Sequence, residues 1–193
     1  MILYIYDSYR GNRTSELNTE KLVALALKQY VIEMGSSLSI DENAFSICKT
    51  QKGKPYIEGM PLHFSVSHSE HLWVCLVGDV ENGVDLQYKI HSNFEAISRR
   101  FYQPEEQKAV ATGGIAAFIA IWCRKEAFIK LFGLSIGDTI DWLNVAMDKA
   151  PASQIQYLDR LITFTEVDIH PDFLCVAAME KKEDIWIRKI QVV

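Results

Sequence analysis

The feature that most constrains the fold is a long uninterrupted run from Ile115 to Leu131, rich in apolar residues. The run contains neither proline nor glycine. It follows Gly113-Gly114 and precedes Gly133, which are signals for the start and the end of a helix. The sequence therefore predicts one long helix here, around which the other elements must pack.

Three side chains of this helix fall on one stripe, because residues three and four apart share a helix face. They are Trp122, Glu126 and Lys130, spaced about 6 Å apart along the axis. Taken alone, the Glu-Lys spacing is that of a solvated pair that stabilises a helix by about 0.2–0.5 kcal/mol. A second acidic position earlier in the chain favours a functional interpretation.

That position lies in a group of three predicted strands. Residues 64–69 alternate between apolar and polar, and residues 72–77 are almost wholly apolar, which is typical of a strand covered on both faces. After the turn signal Asn82-Gly83, the segment Val84–Gln87 alternates again. Asp85 and Gln87 therefore point to the same face, about 7 Å apart.

The remaining segments also mix helices and strands. Residues 1–7 indicate a first strand, the apolar spacing from about Asn18 to Gly35 a buried helix, residues 45–48 a short strand, and residues 94–101 and 103 onwards further helices. Five strands are predicted in the last third, at 139–145, 154–157, 162–169, 173–178 and 185–190. Residues 66–75 can be laid without gaps on residues 167–176 by their apolar pattern, which suggests two related halves.

Composition excludes several classes of protein. The 193 residues, 49% hydrophobic, suffice for a packed core, and the net charge of −5 provides no field that favours nucleic acid. No apolar run approaches the roughly 20 residues of a membrane helix, and the start of the chain lacks the basic region of a signal peptide. The four cysteines form no CxxC pair, so we expect reduced thiols in a cytoplasmic protein rather than a zinc site.

Four segments, in this order along the chain, resemble the signature of the Sfp-type 4′-phosphopantetheinyl transferases. They are Gly53-Lys54-Pro55, residues 64–69 (FSVSHS), residues 83–87 (GVDLQ) and residues 122–130 (WCRKEAFIK). The resemblance covers about residues 53–178 and is loose over the first fifty. It implies an α+β protein of two similar α/β halves, related by a pseudo-twofold axis with a cleft between them. The N-terminal half would be residues 1–88 and the C-terminal half residues 89–193.

The resemblance also implies a reaction. Such enzymes transfer the 4′-phosphopantetheine arm of coenzyme A to a serine of an acyl or peptidyl carrier protein and release adenosine 3′,5′-bisphosphate. The reaction depends on Mg²⁺, a hard cation that proteins hold with one or two carboxylates and substrate phosphates. The pseudo-duplication makes a monomer the simpler expectation, and neither nucleic acid nor a membrane is expected as a partner.

Residue roles carried over from the family concern the segments that match its motifs. Asp85, Gln87 and Glu126 would hold the metal, Lys130 would neutralise the phosphate being split, Ser67 and His68 would contact coenzyme phosphates, and Lys54 with Pro55 would border the adenine. Glu126 is also the candidate proton acceptor, directly or through a metal-bound water. Arg13 and Lys28 are assigned to the 3′-phosphate by position and charge alone.

One position departs from the family pattern. Gln87 stands where the family usually has a glutamate, so this site carries one formal negative charge fewer. A glutamine carbonyl can still bind Mg²⁺ or orient a water, and weaker metal binding is the expected consequence.

Two other functions use the same residues. A Mg²⁺-dependent hydrolase of coenzyme A or other diphosphates would need the same carboxylates with water as nucleophile, and a non-catalytic module would bind coenzyme A or a carrier without turnover. Ser67 and Ser69 do not indicate a serine hydrolase, because no GxSxG motif surrounds them.

Overall fold

The computed structural model describes residues 1–11, 17–40, 46–89 and 93–192, which form a mixed α+β fold. The first seven elements, in chain order, are β1 (Ile2–Asp7), α1 (Thr19–Glu33), β2 (Cys48–Lys49), β3 (Pro55–Tyr56), β4 (His63–Ser69), β5 (Leu72–Gly78) and β6 (Asn82–Tyr88). The next nine are α2 (Phe94–Phe101), α3 (Pro104–Phe132), α4 (Ile136–Thr139), β7 (Ala146–Met147), β8 (Ala150–Pro151), β9 (Gln154–Tyr157), β10 (Arg160–Val167), β11 (Phe173–Met179) and β12 (Trp186–Lys189).

Two four-stranded sheets carry the architecture. The first has the order β12-β1-β5-β4 and the second the order β6-β11-β10-β9, while β2-β3 and β7-β8 form small ribbons. Apolar residues of both large sheets, including Val74, Val84 and Cys175, form one shared core, so the sheets pack face to face. The outer face of the first sheet packs on α1, and that of the second packs on α3.

This layering explains the apolar run of residues 72–77. Trp73, Cys75 and Val77 belong to the core beneath α1, whereas Leu72 and Val74 belong to the core between the sheets. Every residue of β5 is buried, as the sequence predicted for a strand covered on both faces.

Helix boundaries follow local signals. The Asn18 side chain accepts a hydrogen bond from the Lys21 amide and starts α1, which ends at Glu33, close to the predicted end. The long helix α3 begins at Pro104 and covers both the helix predicted from residue 103 onwards and the helix predicted after Gly113-Gly114. The two meet at Gly114, whose φ of 60° and ψ of −146° kink the helix. Gly133, with φ 62°, caps the other end as predicted.

The strand predicted at residues 139–145 is wrong. The Ser135 side chain and the Asp138 carboxylate cap each other's amides and start the short helix α4. The Trp142 indole then donates to the carbonyl of Asp138 at 2.6 Å, so residues 140–142 form turns and residues 143–145 remain irregular. The other four strands predicted in this region overlap β9, β10, β11 and β12.

Strand pairing crosses residue 88, where the predicted halves divide. Hydrogen bonds join β6 to β11, so β6 belongs to the sheet of the C-terminal region, and β12 returns to pair with β1 in the first sheet. The predicted strand at 45–48 corresponds to β2, and its Phe45 lies outside the described residues. Among the described helices, none combines the length and apolar character that a membrane span requires.

Candidate active site

The candidate site is built around Asp85, which lies in the middle of β6 and is 2% exposed. Its Oδ1 accepts from the Ser67 hydroxyl at 2.8 Å and from the Lys130 ammonium at 2.7 Å, and its Oδ2 accepts from Nε2 of Gln87 at 3.0 Å. Asp85 and Gln87 thus share a face, as alternation predicted. Three donors fix the carboxylate in one orientation.

Gly83 explains how α3 reaches this carboxylate. A Cβ built on Gly83 would overlap the carbonyl oxygen of Ala127 and lie 2.6 Å from the amide nitrogen of Leu131. The strand therefore touches the helix backbone directly, which only a residue without a side chain allows. One strand alternation further on, Asp85 faces the turn of α3 that carries Lys130.

Glu126 lies one turn before Lys130 on α3 and is partly buried. Burial and, second, the neighbouring Asp85 carboxylate raise the pKa of Glu126, while Lys130 lowers it. The predicted Trp122-Glu126-Lys130 stripe thus brings a carboxylate into the electrostatic field of Asp85. Two carboxylates and one ammonium leave one negative charge uncompensated.

The Trp122 end of the stripe packs into the core. Its ring lies 6.4 Å from that of Phe101 in an edge-to-face contact and 6.1 Å from that of Phe118 in a stacked one. The interpretation of Trp122 as an anchor for the helix is therefore confirmed.

Lys130 contacts both Asp85 and Ser67. Its ammonium donates to the Ser67 hydroxyl at 3.0 Å, and that hydroxyl also accepts from the amide of Leu86 at 3.2 Å. The side chain of Ser67 is therefore engaged inside the protein, and its contact with a coenzyme phosphate stays a prediction. His68 is exposed, and its ring centroid lies 5.0 Å from that of Tyr9.

The environment of His68 favours its neutral form. Partial burial and then the Lys130 ammonium lower its pKa, and Asp85 opposes them. A neutral imidazole still donates one hydrogen bond, so the expected phosphate contact of His68 does not require a charged ring.

Lys54 lies at the far end of α3. Its ammonium donates to the carbonyl of Leu131 at 2.7 Å and pairs with Glu81, so it caps the C-terminal end of the helix. Beside it opens a cavity of about 200 Å³, lined by Lys54, Pro55, Phe64 and Lys130 among others. The structure thus brings three predicted site residues, Lys54, Pro55 and Lys130, to one cavity.

The described part of the structure does not connect two of the predicted residues, Lys28 and Arg13, with this site. Lys28 lies exposed on α1, and its contact with a 3′-phosphate stays a prediction. Arg13 lies outside the described residues.

The sequence reasoning missed a second buried ion pair on α3. Lys125 pairs with Glu106 at 2.9 Å and donates to the carbonyl of Leu143 at 2.5 Å. Glu106, fully buried, also accepts from the amides of Gln103 and Val145, both at 2.8 Å. Helical periodicity could have shown that Lys125, one residue before Glu126, faces away from the Trp122-Glu126-Lys130 stripe. It could not have shown which residue pairs with Lys125.

The donor set is suited to a hard cation. Asp85 and Glu126 offer carboxylate oxygens with one negative charge to neutralise, and Mg²⁺ prefers oxygen ligands. In the described parts of the chain, no group of three or more His, Cys, Asp or Glu side chains is arranged to hold a metal. Two carboxylates remain sufficient where substrate phosphates complete the coordination.

Comparisons with known proteins agree with this geometry. The 4′-phosphopantetheinyl transferase superfamily matches residues 78–175, slightly more than half of the chain. The chain is 26% identical over 179 residues to the 4′-phosphopantetheinyl transferase gsp of Aneurinibacillus migulanus, covering 87% of this chain and 72% of that protein. It is 31% identical over 113 residues to a 4′-phosphopantetheinyl transferase of Bacillus subtilis, covering 56% of this chain and 50% of that relative.

The matched region contains β6 and α3, which carry Asp85, Glu126 and Lys130. The chain belongs to the 4′-phosphopantetheinyl transferase superfamily, and the resemblance predicted from its motifs is confirmed. The predicted enzyme class is confirmed by the same matches.

Proposed function

We propose that the protein transfers the 4′-phosphopantetheine arm of coenzyme A to a serine hydroxyl of an acyl or peptidyl carrier protein. The observation that carries the proposal is the meeting of Asp85 on β6 with Glu126 and Lys130 on α3, forty-one and forty-five positions away. This group lies beside a cavity that Lys130 itself helps to line.

In the proposed reaction a bond forms between the carrier serine oxygen and the phosphorus that bears the pantetheine arm. The bond from that phosphorus to the bridging oxygen breaks, and its electron pair leaves with adenosine 3′,5′-bisphosphate. Glu126 accepts the hydroxyl proton, directly or through a metal-bound water. Lys130 supplies positive charge to the diphosphate as it is split.

Asp85 and Glu126 would hold Mg²⁺, which when bound neutralises the diphosphate and lowers the barrier to its cleavage. The side-chain amide of Gln87 donates a hydrogen bond to Asp85, so we assign Gln87 first to orienting that carboxylate. Its carbonyl oxygen could join the ligands only after the amide turns over. The missing glutamate charge at this position supports a weaker metal affinity.

Lys54 and Pro55 would border the adenine of coenzyme A at the cavity that they line. Ser67, His68, Lys28 and Arg13 remain candidates for its phosphates. Because the Lys54 ammonium already binds Leu131 and Glu81, we assign its contribution to the aliphatic stem.

We further propose that the fold consists of two similar halves. Each has a strand, a helix and a hairpin paired in the same order, β1-β5-β4 in one sheet and β6-β11-β10 in the other. The sequence echo supports this, because its offset carries the ends of β5, Leu72 and Gly78, onto Phe173 and Met179, the ends of β11. In this scheme the halves divide before Asn82, and the coenzyme lies where β4 and α3 approach each other.

The four cysteines are free thiols, which fits a cytoplasmic protein, and the two similar halves make a monomer the simpler proposal. Burial raises the pKa of Cys75, Cys123 and Cys175, so these thiols are poor nucleophiles.

Mass spectrometry of an apo carrier protein incubated with the enzyme, coenzyme A and Mg²⁺ tests the function. A carrier mass gain of one phosphopantetheine arm is the expected result. Cleavage of coenzyme A without a mass gain would identify a hydrolase, and no change in either molecule would identify a binding module. A survey of apo carriers from fatty-acid, polyketide and nonribosomal-peptide systems would then define the partner.

A further inference from the structure

The two sheets are joined at one edge by side chains rather than by a backbone ladder. The hydroxyls of Ser65, Ser67 and Ser69 on β4 accept from the amides of Val84, Leu86 and Tyr88 on β6, at 3.0, 3.2 and 3.0 Å. We call these three residues the serine ladder. Because β6 is the edge strand of its sheet, the serine ladder satisfies amides that would otherwise lack a partner in this sheet.

The middle rung differs from the outer two. The Ser67 hydroxyl donates its proton to Oδ1 of Asp85 at 2.8 Å and accepts from the Lys130 ammonium at 3.0 Å. With Leu86 as the third partner, one oxygen contacts the strand, the carboxylate and the helix. In the described hydrogen bonds, the outer serines contact neither Asp85 nor Lys130.

Geometry makes the arrangement specific. An oxygen that accepts from Leu86 and Lys130 has its own proton left for Asp85, so the direction of all three bonds is fixed. Ser67 is 6% exposed and Asp85 2%, so water cannot readily replace the hydroxyl. Hydrogen bonds to a charged group are stronger than neutral ones.

We propose that Ser67 is a positioning residue, which orients Asp85 for the metal and holds Lys130 toward the diphosphate. This inference rests on the proposed function. It predicts that loss of the hydroxyl weakens the metal site more than it weakens the fold.

The test compares Ser67→Ala with Ser69→Ala. The second variant also removes one rung of the serine ladder, but the Ser69 hydroxyl has no described contact with a carboxylate. Calorimetry measures the Mg²⁺ dissociation constant in the presence of coenzyme A and without a carrier, and thermal unfolding measures stability. We expect Ser67→Ala to weaken Mg²⁺ binding about tenfold, equivalent to about 1.4 kcal/mol, and Ser69→Ala to leave it within about twofold. Ser67→Thr, which keeps the hydroxyl, should restore most of the affinity.

Kinetics provide a second readout. Ser67→Ala should lower kcat for arm transfer at saturating carrier while leaving the KM for carrier unchanged, because Ser67 is only 6% exposed and offers almost no surface to a carrier. If Ser67→Ala does not fold, Ser67→Cys takes its place, since a thiol fills the space but donates weakly.

Equal Mg²⁺ affinities for the Ser67 and Ser69 variants would overturn the inference, as would a wild-type protein that binds no Mg²⁺. A wild type that binds Mg²⁺ with coenzyme A but loads no carrier would refute the proposed function alone. The comparison of metal affinities would then still decide the role of Ser67.

Discussion

Two lysines of α3 each pair with a carboxylate, Lys125 with Glu106 on the same helix and Lys130 with Asp85 on β6, and the difference between the pairs separates structure from function. In the Glu106-Lys125 pair, three donors reach the carboxylate and the ammonium also has a carbonyl acceptor, with both side chains at least nine-tenths buried. In the Asp85-Lys130 pair, the lysine side chain is 28% exposed, lines a cavity and has the second carboxylate of Glu126 beside it.

The first pair is electrically balanced and closed. It anchors the segment around Leu143 and Val145 to α3, and it offers no group to a ligand. The second retains an unneutralised negative charge and an accessible ammonium, which are what a cation and a diphosphate would require. A buried charge is thus a functional signal where its neutralisation is incomplete.

The largest expected effect comes from Glu126→Gln. Loss of the proton acceptor and of one metal ligand should lower the rate of arm transfer by at least about 10²–10⁴-fold while the fold is retained. The loading rate by mass spectrometry and the circular dichroism spectrum measure the two effects. Glu166→Gln is the matched control. It neutralises a carboxylate on β10 that pairs with Arg124 of α3 and has no described contact with Asp85. Full activity of Glu126→Gln would remove Glu126 from its proposed role.

Next in size is the effect of Lys125→Met on stability. It leaves Glu106 charged and fully buried, so the free energy of unfolding measured in urea should fall by about 3–5 kcal/mol. Lys130→Met should cost less, because the Lys130 side chain is 28% exposed, so its removal lets water reach Asp85, yet it should lower transfer far more per folded molecule. Lys108→Met, in an exposed pair with Glu105, controls for loss of charge and should cost under about 0.5 kcal/mol. A reversed order of the two buried pairs would break the comparison.

A smaller effect is expected from Gln87→Glu. An added carboxylate beside Asp85 should lower the Mg²⁺ concentration for half-maximal rate by about fivefold, the equivalent of about 1 kcal/mol. Gln156→Glu adds the same charge at an exposed position of β9 and should change nothing. An unchanged Mg²⁺ requirement in Gln87→Glu would mean that Gln87 is not near the metal.

The smallest effect concerns pH and stability. Because burial raises the pKa of Glu126 above its usual 4.5, the folded state holds the proton more tightly than the unfolded state does. The ionised carboxylate therefore costs stability fully above the folded pKa, and this cost disappears as the pH falls below the unfolded pKa.

Glu126→Gln should accordingly unfold at a higher urea concentration than wild type at neutral pH, with a difference that shrinks as the pH is lowered. Urea titrations of both proteins across a pH series measure this trend. A difference that grew toward low pH would show that Glu126 is stabilised, not strained, by its surroundings. In that case the second pair would be as well compensated as the first.

Local patterns predicted most of the elements. Alternation placed Asp85 and Gln87 on one face of β6, the 3.6-residue period placed Glu126 and Lys130 on one stripe of α3, and the apolar run became the doubly covered β5. The strand prediction for residues 139–145 failed because the Ser135-Asp138 cap, a specific side-chain interaction, outweighed the strand pattern.

Contacts between different elements could not be predicted from local patterns. The serine ladder, the Lys125-Glu106 pair and the capping of Leu131 by Lys54 each join residues 19 or more positions apart. Nothing in the alternation of β4 distinguishes Ser67, which contacts Asp85 and Lys130, from Ser69, which contacts neither.

By itself, the sequence determined the family, the individual elements and the face on which each site residue lies, because periodicity is a property of one element at a time. The tertiary structure alone decided which faces meet. Gly83 lets α3 touch β6, and this contact brings a strand carboxylate to a helix ammonium at 2.7 Å. Whether charges are closed off or left available depends on packing between elements, and no single segment of the chain specifies that packing.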